Sequence, residues 1–88
     1  MSTATTEHKL EATFSMLVMS IASNAVMAMG LTPNPETGKT ETDRQLARFN
    51  IDLLVMLKEK TKNNLSSDEN GLIEHIVQDL QMKFVQLK

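Results

Sequence analysis

The groups that could do chemistry in this 88-residue chain are two histidines, eleven carboxylates and seven thioethers, with no cysteine. Without cysteine there is no thiol nucleophile, no disulfide and no thiolate-held zinc, which accords with a reducing cytoplasm. His75 and Asp79 stand four apart, so a helix would carry both on one face as two metal ligands. A structural or catalytic zinc needs three or four, and the other histidine, His8, lies far off near the N-terminus. A surface ion pair is the simpler reading of that spacing. Asp52 interrupts the apolar run Ile51-Asp52-Leu53-Leu54, with Arg48 one turn before it. General acid–base work needs a partner group in a cleft, whereas an exposed Arg48–Asp52 pair contributes only a few tenths of a kcal/mol, ~0.3–0.5. Met16 and Met19 are three apart and Met27 and Met29 two apart; thioethers alone suit mainly Cu(I), and packing is their commoner use. The triplet Gly38-Lys39-Thr40 lacks the first glycine and the preceding strand of a phosphate loop. The sequence therefore predicts no catalytic residue, no cofactor and no metal site.

The elements that would position these groups are helices. The first is expected from about His8 to Met29, stopped by Gly30, after a polar tail over residues 1–7. Two prolines and a glycine make residues 30–41 a loop, long for a compact bundle. Thr42 and Gln45 can form a capping box for a second helix running to Lys62, where Lys58, Lys60 and Lys62 offset the dipole. Asn63 can take the left-handed cap. Ser66 and Glu69 form another capping box, which opens a third helix over about 67–87, weakened in its first turns by Gly71.

At about 100° per residue, the third helix shows one stripe: Leu72, Ile73, Ile76, Val77, Leu80, Phe84 and Leu87. On the second, Leu46, Phe49, Leu53, Leu54, Met56 and Leu57 form the expected core face, with Ile51 and Val55 beyond its edge. The first buries Leu10, Phe14, Leu17, Val18, Ile21, Ala25, Ala28 and Met29, yet its other face is not polar. That face carries Met16, Met19, Val26 and Met27 between small residues including Ser20 and Ser23. An apolar helix needs neighbours all round, and two companions cover only part of it. Exposed apolar patches mark contact sites, and methionine repacks readily against varied surfaces. The candidate interface is thus Met16, Met19, Ser20, Ser23, Val26 and Met27, joined by Ile51 and Val55. Asn50 falls inside the second stripe and Asn24 borders the first, where a buried amide must be hydrogen-bonded and can fix register.

Composition narrows the function classes. A net charge of −2 and the absence of Tyr and Trp leave neither a basic face for phosphates nor a platform for bases, so no nucleic-acid partner is expected. The apolar stretch Phe14–Met29 falls short of a membrane span and holds four polar residues. The N-terminus lacks the pattern of a signal peptide.

From Pro33 onward the chain resembles a small bacterial family known as domain of unknown function number eighteen forty-four. The resemblance rests on Pro33-Asn34-Pro35-Glu36-Thr37-Gly38, on Ala47 with Ile51-Asp52-Leu53-Leu54-Val55-Met56-Leu57, on Lys60-Thr61-Lys62-Asn63-Asn64-Leu65-Ser66 and on Asp79-Leu80-Gln81-Met82-Lys83-Phe84-Val85. Asn63 and Ser66 stand where the family usually has glycine and threonine, changes that keep the helix stop and the helix start. The resemblance implies no activity and no functional residues. The expectation is an all-α, cytoplasmic three-helix bundle, or a hairpin plus a helix, completed by self-association. It is a non-catalytic interaction or adaptor protein, a homodimer or higher homo-oligomer, with room for another protein partner. Two alternatives stand beside it. One is a ligand-binding or enzymatic accessory whose 33–38 loop closes over a pocket near the end of the second helix, lined by Asn50, Thr61 or Asn64. The other is a peripheral membrane protein, disfavoured because the first helix lacks a lysine-rich face.

Overall fold

The computed structural model describes residues 11–87, which form three helices: α1 (Phe14–Ala28), α2 (Arg44–Lys60) and α3 (Ser67–Val85). The chain is all-α, as its periodicity requires. The 1–7 tail, His8 and Leu10 lie outside the described residues. Helix α1 begins later than the expected His8, because Thr13 is the cap: its hydroxyl accepts the Met16 N–H at 3.1 Å. Helix α2 is capped by Asp43 rather than Thr42, its carboxylate accepting the Leu46 N–H at 3.1 Å. Asp43 outcompetes Thr42 because it caps at least as well and places negative charge at the positive end of the dipole. The Ser66–Glu69 capping box is present in both directions, at 2.9 and 3.2 Å.

Between α1 and α2 the chain turns on Gly30, at φ +76°. The Leu31 N–H bonds back to the Val26 carbonyl and the Gly30 N–H to that of Met27, which satisfies two orphan carbonyls in a Schellman motif. The loop then closes on itself. The Asn34 side chain accepts the Glu36 N–H, Gly38 N–H reaches the Asn34 carbonyl at 2.7 Å, and Gly38 adopts φ +72°. A single antiparallel bridge, Met29 to Thr42, and an Asp43 N–H bond to Ala28 at 2.7 Å tie the end of α1 to the start of α2. Asn63, at φ +71°, makes the second reversal.

The core joins Val18, Ala22, Ala25, Ala28 and Met29 to Ala47, Ile51 and Leu54, and to Ile73, Val77 and Leu80 of α3. The α3 stripe is the one its periodicity predicts. On α2 the core face is rotated from the expected one. Ile51 is only 5% exposed and Val55 packs against the core, whereas Leu46, Phe49 and Met56 lie on the surface. Leu17 is likewise exposed, with Ala22 taking a place in its stead. The cause is size. Alanines at 22, 25 and 28 let α2 approach α1 closely through Ala47, and a phenylalanine at that seam would hold the backbones apart. Asn50 can join this seam because its amide donates to the Leu46 carbonyl of its own helix at 2.9 Å, so its burial strands no polar group.

Across its Cα atoms the molecule is 15 Å thick, about two stacked helices at the usual ~10 Å spacing. Helix α3 covers one side of the α1–α2 pair, where Ile76 and Leu80 line a cleft together with Met19, Ala22 and Val26.

Candidate interaction surface

Helix α1 contains no charged residue in fifteen. A helix normally keeps charge on its solvent side, but here that side presents Met16, Leu17, Met19, Ser20, Ser23 and Asn24. Of the residues expected to form an interface, Met16, Met19, Ser20 and Ser23 are exposed together on this face, and Met27 and Val26 are half-buried at its margins. The Ser20 hydroxyl donates to the Met16 carbonyl at 2.8 Å, so the serine spends its polarity within the helix and offers a small, nearly neutral surface. Ile51 is buried and Val55 is half-buried, on the far side of α2 from that face. They point to the core, for the packing reason given above.

What replaces them on α2 was expected inside. Leu46, Phe49, Leu53 and Met56 follow one another at helical spacing, with Phe49 57% exposed and Leu53 half-buried. Asn24, Met27 and Ala28 of α1 and Leu46, Phe49 and Asn50 of α2 line one hollow of about 340 Å³, with Asn34, Lys39, Glu41 and Asp43 at its end. On the α3 side, a shallow apolar cleft of about 410 Å³ is lined by Met19, Val26, Pro33, Pro35, Ile76 and Leu80. No signal from single-helix periodicity could have placed Leu46 and Phe49 outside, since both fit an apolar stripe. The alanine spacing in α1 was the available clue.

The polar candidates have structural uses. Asp79 pairs with Lys83 at 2.6 Å, one turn onward, instead of with His75. Arg48 and Asp52 make the expected exposed pair, at 3.9 Å. Arg44 does more: its guanidinium donates to the Leu87 carbonyl at 3.2 Å and lies 5.0 Å from the Phe84 ring centroid, clasping the start of α2 to the end of α3. Among the described residues no group of three or more His, Cys, Asp or Glu is placed to hold a metal ion. No helix there is long and apolar enough to cross a membrane.

The loop meets only part of the expected pocket: Asn34 and Asn50 line one hollow at the start of α2, while Thr61 and Asn64 lie elsewhere. Residues 33–38 lie beyond the C-terminus of α1, beside the start of α2, and Thr61 and Asn64 lie past its other end, roughly 25 Å away for a helix of this length. The Thr61 hydroxyl is engaged with the Leu57 carbonyl at 2.7 Å. A polar cleft of about 550 Å³ does occur at the α2–α3 turn, among Lys58, Lys62, Asn63, Ser67, Asn70 and Glu74, but neither the loop nor Asn50 reaches it.

Residues 11–86 match the family model described as Domain of unknown function (DUF1844). No curated protein and no solved structure matches the chain.

Proposed function

The chain belongs to that DUF1844 family, and we propose that it is a non-catalytic interaction module that associates with further copies of itself through the outer face of α1. One observation carries the reading: an uncharged fifteen-residue helix turns Met16, Leu17, Met19, Ser20 and Ser23 to solvent. The core supports it. Four of its eleven buried apolar residues are alanines, which bury little area, while nine large apolar side chains stay exposed among the described residues. Association returns part of that surface to an apolar environment, the usual resort of a domain this small. Its role would be that of an adaptor or assembly element, with specificity carried by shape and by methionine packing.

The test is the light-scattering mass of the native chain against Met16→Glu and Met27→Glu at tens of micromolar, roughly the weak-association range. The expected result is a native dimer or larger assembly that each glutamate shifts toward monomer with helicity retained. A native chain of monomer mass at that concentration would sink the reading.

A further inference from the structure

We propose that the hollow between the end of α1 and the start of α2 binds one small planar heterocycle, which carries an amino group beside a ring nitrogen and no phosphate. This end of the pair is separate from the Met16 and Ser20 face, so binding there does not depend on self-association. Three observations carry it.

The first is Asn50. It is 5% exposed, and its amide nitrogen donates one of its two protons to the Leu46 carbonyl at 2.9 Å. Among the described residues no sealed side-chain nitrogen or oxygen lacks a partner. The Asn50 carbonyl oxygen accepts no bond from those residues, so it keeps an opening, and Asn50 lines this hollow. The Leu46 bond thus holds the amide in place and leaves one acceptor and one N–H free. That is the pair with which asparagine reads adenine, the oxygen taking the exocyclic amino proton and the N–H meeting the neighbouring ring nitrogen. Asn24 lines the same hollow and brings a second amide from α1.

The second is size and lining. The hollow holds about 340 Å³, at the small end of the ~300–1,000 Å³ range of ligand sites. Met27, Leu46 and Phe49 supply its apolar surface, and the Phe49 ring, left outside by the packing of α2, can stack on a flat ligand. Its two helices are fastened to each other before any ligand arrives, by the Asp43 N–H bond to Ala28 at 2.7 Å and the bridge from Met29 to Thr42. Such a preformed site loses little ordering entropy on binding.

The third is charge. Glu41, Asp43 and Lys39 line the hollow, two carboxylates against one ammonium, while the adjacent Arg44 is engaged with Leu87 and Phe84. The Asp43 carboxylate also caps α2, accepting the Leu46 N–H, and so offsets the positive end of the dipole that would otherwise draw an anion. A neutral or cationic molecule is admitted and a phosphate is disfavoured. The same balance separates a single base from a nucleic-acid strand.

Adenine is the probe. In nitrogen-15 NMR of the full chain, the side-chain amide signals of Asn24 and Asn50 and the backbone signal of Phe49 should shift saturably, with a Kd below about 1 mM. Unsubstituted purine, which lacks the amino group, should bind at least about tenfold more weakly. Adenosine monophosphate should bind at least about threefold more weakly than adenosine at low salt. Asn50→Leu should abolish the adenine shifts with helicity retained. Phe49→Ala, at a side chain 57% exposed, should weaken them at least about threefold and carries the test if the buried substitution unfolds the chain. No saturable shift up to about 10 mM adenine, or shifts that gather away from the hollow, would overturn the proposal. Purine binding as tightly as adenine, or Phe49→Ala binding as tightly as the native chain, overturns it too, because the amide and the ring would then select nothing.

Discussion

Replacing Gly30 by alanine should cost about 2–3 kcal/mol, much more than the same change at Gly38, although the two glycines share nearly the same backbone conformation. Gly30 has φ +76° and Gly38 φ +72°, so each alanine variant carries the left-handed penalty of about 1–2 kcal/mol, reduced by the smaller entropy of the unfolded chain. They differ in surroundings. A Cβ on Gly38 meets nothing within 4 Å, but one on Gly30 would sit 2.5 Å from the Thr42 Oγ1. Thr42 cannot swing aside freely: it is β-branched, it bridges to Met29, and its hydroxyl donates to the Met29 carbonyl at 3.4 Å. Relief of the overlap must open the junction of α1 and α2, which adds about 1 kcal/mol for the hydrogen bonding lost. Thermal and urea unfolding followed by far-ultraviolet circular dichroism would measure this, at one fixed protein concentration because any association adds to apparent stability. At about 4–8 °C per kcal/mol for a domain of this size, Gly30→Ala should lower Tm by roughly 10–20 °C and Gly38→Ala by roughly 4–8 °C. In a Thr42→Ala background, the excess cost at Gly30 should fall by about 1 kcal/mol. Equal losses for the two glycine variants, within about 0.5 kcal/mol, would refute the steric argument and leave backbone strain alone.

Three further outcomes follow from the packing. Leu54→Ala removes a side chain with no exposed surface and should cost about 2–5 kcal/mol in urea unfolding, large for so small a core. Ser66→Ala removes one half of the α3 capping box and should cost about 1 kcal/mol, with Ser66→Asp restoring most of it. Arg44→Ala should cost about 1 kcal/mol and increase hydrogen exchange at the end of α3, because it loses both the Leu87 bond and the Phe84 contact. Arg48→Ala, which breaks only an exposed pair, should change stability by less than about 0.5 kcal/mol.

Local sequence was sufficient wherever the physics was local. Gly30 and Asn63 in left-handed conformations, the Ser66–Glu69 box and the α3 stripe each depend on a few neighbouring residues and a single backbone preference, and they stand where the chain's own chemistry puts them. The uncharged outer face of α1 was legible for the same reason, since no arrangement of two companions could surround that helix. Cap choice was less secure, because Thr42 and Asp43 compete at adjacent positions and the bridge to Met29 drew Thr42 away.

The orientation of α2 was a different matter. Its apolar arc is wider than one neighbour can cover, so Leu46 and Phe49 or Ile51 and Val55 could equally have faced inward by periodicity alone. What decided between them was how closely two backbones can approach. The alanines of α1 and Ala47 permit a tight seam, Ile51 and Leu54 fill the space beside it, and Phe49 is left outside. That selection depends on the facing helix and therefore exists only in the tertiary structure. It also moved the apolar surface of α2 from the α3 side to the open side, where it adjoins the uncharged face that α1 had already declared.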